Sequence, residues 1–197
     1  MHPNCGLGHI LPVFAVAGLL TGAFSAAIAA DASPWDVDLQ SSARLIAARP
    51  DDEAGVRTFR AGIEIKLKPG WHTYWRYPGD SGVPPVMDFS RSQNVKTVTM
   101  LFPAPTRFPD GGGGSSIGYQ GDVILPLHVV AQDSAKPMIL RLKLDYAACE
   151  KLCVPATAQL ELALTGKDSA QDQAVGSAEA RVPKSAKIGD EIGRAHV

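Results

Sequence analysis

Apolar and polar residues alternate along much of the chain between residues 36 and 165, and this alternation predicts β-strands. The pattern is clearest in three segments, RAGIEIKLKPGW, MILRLKLDY and TAQLELALT, where every second residue is apolar or small. The residues predicted to face the core are Ala61, Ile63, Ile65, Leu67, Met138, Leu140, Leu142, Leu144, Tyr146, Ala158, Leu160, Leu162 and Leu164. Such clean alternation indicates sheets with one packed face and one solvated face.

Two more apolar runs, NVKTVTMLF and GDVILPLHVVAQ, are further strand candidates. Pro126 lacks a backbone N–H, so we expect its strand to lie at a sheet edge or to be bulged there. A Pro-Gly pair at Pro69 and Gly70 predicts a turn. No segment after the first thirty residues carries a long apolar stripe with helical spacing. Many short strands joined by polar turns predict an all-β, antiparallel sandwich.

The stretch FPDGGGGSSIGYQGD interrupts this pattern. Its glycines and serines predict a flexible loop from Gly111 to Tyr119, because glycine is entropically costly to order.

The two ends of the chain differ from its middle. An apolar stretch from Ile10 to Ala30 ends in the small residues Ala27-Ile28-Ala29, which predicts a cleaved signal peptide over residues 1–30 and hence an exported protein. An uncleaved membrane anchor is the alternative. Cys5 lies inside this segment, so the mature chain would keep two cysteines. Residues 166–197 are polar and aperiodic and predict a linker. Their end, EIGRAHV, matches a translated sequencing adapter, so we expect the natural protein to continue beyond a truncation.

The overall charge does not favour nucleic acid as a partner. The formal net charge is −1, and no basic stripe occurs. Outside the signal segment the histidines are His72, His128 and His196.

Cys149 and Cys153, in the segment YAACEKLCVP, are the candidate chemical centre. Along an extended strand they would be about 13 Å apart, at about 3.3 Å per residue. A disulfide needs Cα atoms within about 7 Å, so the chain must bend sharply between them. A bond that closes so short a loop stabilises little by chain entropy, and a small ring is easier to reduce. These arguments favour a redox couple over a structural bridge, without excluding the bridge.

Metal binding by the same cysteines is the third possibility. A closed zinc site needs four ligands, and few histidines are present. Two thiolates alone suit Cu(I), which keeps a copper-binding or copper-tolerance module open.

Four motifs in order, PGWHTYWRYPGDSGVPP, FPAPTRF, GYQGDVILPL and YAACEKLCVP, resemble the N-terminal periplasmic domain of the DsbD family of thiol:disulfide interchange proteins, and more closely its ScsB-like branch. The resemblance runs from about Ser33 to Leu164 and implies an immunoglobulin-like sandwich over residues 31–165. In the DsbD branch five residues separate the two cysteines. Here three do, as in the ScsB-like branch.

The resemblance implies that Cys149 and Cys153 are a redox pair without an organic cofactor. It implies a membrane-embedded electron donor, fused C-terminally in an intact protein anchored in the inner membrane, and thioredoxin-like periplasmic clients, including proteins of copper stress. It also implies a cap loop over the pair, at Phe108 to Tyr119, with Phe108 and Tyr119 as the candidate shielding residues. Of the two cysteines, we expect Cys153 to be buried and Cys149 to resolve the mixed disulfide.

The remaining motifs have simpler interpretations. The aromatic residues of WHTYWR are interpreted as core or rim packing, and His72 as a surface or hydrogen-bonded histidine. PGDSG is interpreted as a turn, since neither a phosphate-loop context nor a base for Ser81 accompanies it.

Overall fold

The computed structural model describes residues 30–53, 56–109 and 112–184. In these residues two six-stranded antiparallel sheets pack face to face as an immunoglobulin-like β-sandwich, which confirms the predicted fold class. The elements are β1 Asp36–Val37, β2 Ser41–Ala47, β3 Asp51–Glu53, β4 Val56–Leu67, β5 His72–Gly79, β6 Val86–Asp88, β7 Val95–Met100, β8 Thr106–Pro109, β9 Ser115–Gln120, β10 Val123–Ala131, β11 Met138–Cys149, β12 Cys153–Leu164 and α1 Asp172–Glu179.

The first sheet has the order β1-β2-β4-β10-β7, with β3 also paired to β4. The second has the order β12-β11-β5-β9-β8, with β6 also paired to β11. The β11–β12 hairpin pairs without interruption from Met138↔Leu164 to Cys149↔Cys153. In this second sheet β12 is an edge strand, whereas β11 is interior.

The core lies between the sheets and follows the alternation in the sequence. All thirteen residues predicted to face inward on β4, β11 and β12 are buried, with Leu67 the most exposed of them at 9%. Trp75 of β5 and Trp71, just before that strand, pack against the same core. Burial of these side chains is the main source of stability, at about 25 cal/mol per Å² of apolar surface removed from water.

The expectation that Pro126 marks an edge or a bulge is wrong. β10 is interior, between β4 and β7, and Pro126 pairs with Gly62 in regular register. The backbone N–H of Leu101 donates to the Pro126 carbonyl, just beyond the last β7 pair. Because the N–H and C=O of a strand residue point the same way, the missing N–H faces the end of β7, and no ladder bond to β4 is lost.

The glycine-rich segment is shorter as a loop than predicted. Ser115 to Gln120 form β9, which pairs with β8 on one side and β5 on the other. Gly118 is required by this close pairing, because a Cβ there would lie 2.0 Å from a β5 carbonyl oxygen.

The segment predicted as a linker contains a docked helix. Helix α1 buries Val175 and Ala178, and Val175 packs with Ile46 and Ala48 on the outer face of the first sheet. An eight-residue helix is marginal on its own, so tertiary contacts hold it.

Charged contacts anchor α1 at both ends. The Arg60 guanidinium on β4 lies 2.9 Å from Asp172 Oδ1 and 3.0 Å from Glu179 Oε1. His128 Nε2 on β10 also lies 3.0 Å from Glu179 Oε1. Burial raises the pKa of Glu179, but the hydrogen bonds with His128 and Arg60 outweigh it and lower the pKa to about 2.

The proposed signal peptide, apart from residue 30, and the chain end from residue 185 lie outside the described residues. Among the residues that the structure does describe, no helix is both long and apolar enough to span a membrane.

Replacing Glu179 by Gln should destabilise the domain by about 1–2 kcal/mol at pH 7, at the lower end for a charged hydrogen bond because the site is partly exposed. The pKa of Glu179 is lower in the folded state than in the unfolded state. Its contribution to the free energy of unfolding is therefore complete above the unfolded-state pKa near 4.5 and is lost as the pH falls toward about 2. Urea unfolding of both proteins between pH 7 and pH 3 measures this difference.

Lys136→Met is the matched control, because its ion pair with Asp133 is solvent-exposed and should contribute under about 0.5 kcal/mol. A Glu179→Gln difference that does not narrow with falling pH would contradict the assignment.

Candidate functional site

The candidate site is at one end of the β11–β12 hairpin. Cys149 ends β11, Cys153 begins β12, and the two sulfurs form a disulfide with Cα atoms 4.1 Å apart. The two residues are directly opposite each other in the ladder, and three residues connect them. Cross-strand neighbours of a non-hydrogen-bonded pair approach to about 4.5 Å between Cα atoms. The sharp bend predicted from the spacing is therefore a tight β-hairpin.

The two cysteines differ in exposure, in the opposite sense to our expectation. Cys149 is 1% exposed, whereas Cys153 is exposed. The reason is the strand order: β11 has β5 on its other side, where His72 pairs with Cys149, whereas β12 is at the edge. Cys153 is thus the sulfur that another protein can reach.

The disulfide lies on the outer face of the second sheet, away from the main core. Even-numbered β11 residues from Met138 to Ala148 face inward, and Cys149 faces outward with Ala147. Tyr74 of β5 joins these two in a small buried cluster. Cys153, Cys149 and His72 are consecutive neighbours across β12, β11 and β5. Because the pair is outside the core, its chemistry can change without repacking the sandwich.

Tyr74 is the side chain that contacts the reachable sulfur. Its hydroxyl oxygen is 3.2 Å from Cys153 Sγ, a distance at which the O–H donates to sulfur. The ring is packed closely from the other side, because a Cβ on Gly82 would lie 2.6 Å from it. The interpretation of WHTYWR as packing holds for Trp71, Trp75 and the buried Tyr74, but it missed the contact of Tyr74 with sulfur. Strand alternation could have separated them, since Tyr74 has the opposite parity to both tryptophans.

His72 lies beside Tyr74 on the same face. Its ring centroid is 5.4 Å from that of Tyr74, edge to face, and 4.7 Å from that of Phe108. Burial lowers the pKa of His72. The imidazole is therefore neutral at pH 7.

The two predicted shielding residues have different positions. Phe108, on edge strand β8, faces outward, and its ring contacts that of His72. Tyr119 faces inward as part of the core, and its hydroxyl donates to the Pro103 carbonyl. Burial raises the pKa of Tyr119. Phe108 therefore lies on the face that carries the disulfide, and Tyr119 is not a cover for it.

The hairpin tip between the cysteines consists of exposed residues. Glu150 and Lys151 carry opposite charges, and Leu152 is 79% exposed. The PGDSG segment is more than a turn: a Cβ on Gly79 would lie 2.2 Å from the Ser115 carbonyl oxygen, and Asp80 accepts the Ser115 N–H. This segment thus joins β5 to the β8–β9 hairpin beside the site.

Within the described ranges, no group of three or more His, Cys, Asp and Glu side chains is arranged to hold a metal ion.

Comparison with solved structures finds a similar periplasmic domain. The chain is similar to the N-terminal periplasmic domain of ScsB from Proteus mirabilis, with a TM-score of 0.65 and 26% identity over 80% of this chain and 61% of that chain. It thus spans less than two thirds of that structure. The yeast GGA1 GAE domain aligns with a TM-score of only 0.30 and 13% identity, over 65% of this chain and 97% of that chain, and supports no argument. No curated protein sequence matches this chain significantly.

The sequence model of one protein family covers most of the sandwich. The family described as "Thiol:disulfide interchange protein DsbD, N-terminal" matches residues 44–165, which include both cysteines, Tyr74 and His72. This match covers more than half of the chain, and the motifs quoted from the sequence fall inside it or at its border. The chain belongs to the family of N-terminal domains of the thiol:disulfide interchange protein DsbD.

Proposed function

We propose that this domain is a periplasmic disulfide reductase that passes electrons from a membrane-embedded donor to the disulfides of thioredoxin-like client proteins. The observation that carries the proposal is the unequal exposure of a cross-strand cysteine pair at a hairpin end. Cys153 is exposed to a visiting sulfur, and Cys149 is buried directly beside it. This arrangement supplies one attacking and one resolving sulfur.

In the reduced domain, the Cys153 thiolate attacks a client disulfide and displaces one client thiolate, which takes up a proton. The Cys149 thiol then loses its proton and attacks Cys153 Sγ. This second attack releases the other client sulfur and forms the Cys149–Cys153 bond. Two electrons and two protons pass to the client, and the pair becomes oxidised. The donor reverses these steps to restore the dithiol.

Tyr74 supports the first step through its hydroxyl. At 3.2 Å from Cys153 Sγ, the O–H can donate to the thiolate and stabilise its charge. The same hydrogen bond helps Cys153 to leave when the donor reduces the pair, because a more stable thiolate is a better leaving group.

Family membership and the similarity to the ScsB periplasmic domain support the periplasmic location and the thioredoxin-like partners. The membrane-embedded donor, fused C-terminally in an anchored protein, belongs to the same proposal. An oxidising compartment also suits a pair that cycles through a disulfide.

A purely structural role for the bond is less well supported. The bond spans only four positions in sequence and joins strands that already pair over twelve positions. Chain-entropy stabilisation depends on the length of the closed loop, so this bond adds little to the fold.

Cys149→Ser should accumulate mixed disulfides with periplasmic proteins, because Cys153 can still attack but nothing resolves the product. Cys153→Ser should accumulate several-fold fewer, because its remaining thiol is buried. Non-reducing electrophoresis of periplasmic extracts, followed by identification of the trapped partners, measures both. A double Cys149→Ser, Cys153→Ser protein, which has neither thiol of the pair, is the control.

If neither single variant traps a partner, and the wild-type disulfide also resists reduction by thioredoxin, the exchange function is wrong. More trapping by Cys153→Ser than by Cys149→Ser would reverse the assigned roles.

Tyr74→Phe should raise the pKa of the Cys153 thiol by about 0.5–1 unit, since a hydrogen bond worth about 0.5–1.5 kcal/mol is lost from the thiolate. Less thiolate at pH 7 should then slow alkylation of Cys153 by iodoacetamide by about three- to tenfold. The pH profile of alkylation, recorded for the reduced Cys149→Ser background, gives the pKa directly.

Tyr77→Phe in the same background is the matched control, since Tyr77 is 67% exposed and stacks edge to face on Trp75. Identical profiles for Tyr74→Phe and its parent would show that the hydroxyl does not act on the sulfur.

A further inference from the structure

His72 is placed where it can act on the buried cysteine. It is the direct ladder neighbour of Cys149 on β5, and both side chains project from the outer face of the sheet. Side chains directly opposite each other in an antiparallel pair have Cβ atoms about 4.5–5.5 Å apart. The imidazole of His72 is therefore within reach of the Cys149 sulfur, directly or through one water.

The contacts of His72 hold its ring in place. Tyr74 packs against it edge to face at 5.4 Å between centroids, and Phe108 covers it at 4.7 Å. On β9 its ladder neighbour is Gln120, which carries no charge. Two aromatic neighbours thus orient the His72 ring beside the Cys149–Cys153 disulfide.

We propose that His72 is the general base that takes the proton from the Cys149 thiol in the resolving step. This inference rests on the exchange function proposed above. The thiol S–H bond breaks, its electron pair stays on sulfur, and the proton moves to an imidazole nitrogen of His72. The Cys149 thiolate then forms a bond to Cys153 Sγ while the Cys153–client S–S bond breaks. The imidazolium gives its proton to the departing client thiolate, which restores neutral His72.

The need for a base follows from the burial of Cys149. At 1% exposure its sulfur has little access to water, and burial disfavours a thiolate. Cys153, which is exposed, has no such need. The resolving step therefore requires a base beside Cys149, which is where His72 lies.

The protonation state of His72 agrees with this role. Burial lowers its pKa, so the ring is an unprotonated acceptor at pH 7. The titratable groups facing it are Cys149 across the ladder and Tyr74 along β5. Glu150 lies near the Gly70 turn, two residues before His72 in the chain, where a Cβ on Gly70 would be 3.6 Å from its carboxylate.

The test separates the two sulfur steps with dithiobis(nitrobenzoate), a symmetric aromatic disulfide. Attack by Cys153 releases a first equivalent of the coloured thiolate, and resolution by Cys149 releases a second. Stopped-flow absorbance of the reduced domain resolves both releases. In His72→Gln the rate of the first release should be unchanged. The rate of the second release should fall by about tenfold or more at pH 7, since general-base catalysis typically contributes at least about a hundredfold.

The pH profile distinguishes a base from a packing residue. In the wild type, the rate constant of the second release should increase with pH through the pKa of His72 and then level off. NMR titration of the domain measures that pKa. In His72→Gln this rate constant should instead increase only as the Cys149 thiol itself ionises, at about pH 8.5 or above. The rate constants of the two proteins should therefore become equal at high pH. His72→Phe keeps the ring contacts without a nitrogen and should behave like His72→Gln. His128→Gln, changed on the opposite sheet, should match the wild type in both releases.

Each result decides a different point. If His72→Phe restores the wild-type second release, or if the wild-type profile shows no inflection at the pKa of His72, the general-base role is wrong, while the first release still supports exchange. If the wild type gives no first release, the proposed function itself fails. A slowed second release in both His72 variants, with an intact first release, establishes the role.

Discussion

The register of the β11–β12 hairpin is the constraint on which the site depends. Its uninterrupted pairing places Cys149 opposite Cys153 and, by the same alternation, directs both side chains to the outer face of the sheet. A shift of one residue would turn the sulfurs toward the core and bring Leu142 and Leu144 into water. The buried leucines that stabilise the sandwich therefore also fix the geometry of the disulfide.

Much of the framework could be predicted from the sequence, because alternation is a local signal. Ile63, Leu142 and Leu160 were assigned to the core from their own segments, and the structure confirms them. Helix α1 was missed because only Val175 and Ala178 mark its buried face, and Arg60, far away in sequence, holds its ends. The edge or bulge predicted at Pro126 was also wrong, because its missing N–H faces the end of β7 and no ladder hydrogen bond is lost. The end of β7 cannot be located from the sequence of β10 alone.

The candidate site shows the same division between local and long-range information. The spacing of Cys149 and Cys153 was enough to predict the sharp bend that a bond between them needs, because the bend depends on five consecutive residues. Their exposure was predicted the wrong way round, because it depends on β5 lying next to β11. Tyr74 and Phe108 reach the site through that same arrangement of strands, so no single segment identifies the group.

The position of Cys153 on an edge strand also affects how another protein can approach. The side-chain hydroxyl of Thr73 donates to the Ala147 carbonyl on the β5 side, so Pro155, opposite Ala147, directs its backbone away from β11 and toward the open edge. Proline offers no donor there, and a few residues further on the Gln159 N–H is already taken by the Asp36 carboxylate. A strand from another protein could therefore not form a continuous ladder of backbone hydrogen bonds along β12. Such an edge does not favour stable addition of a strand from another protein, although Cys153 at its end stays exposed.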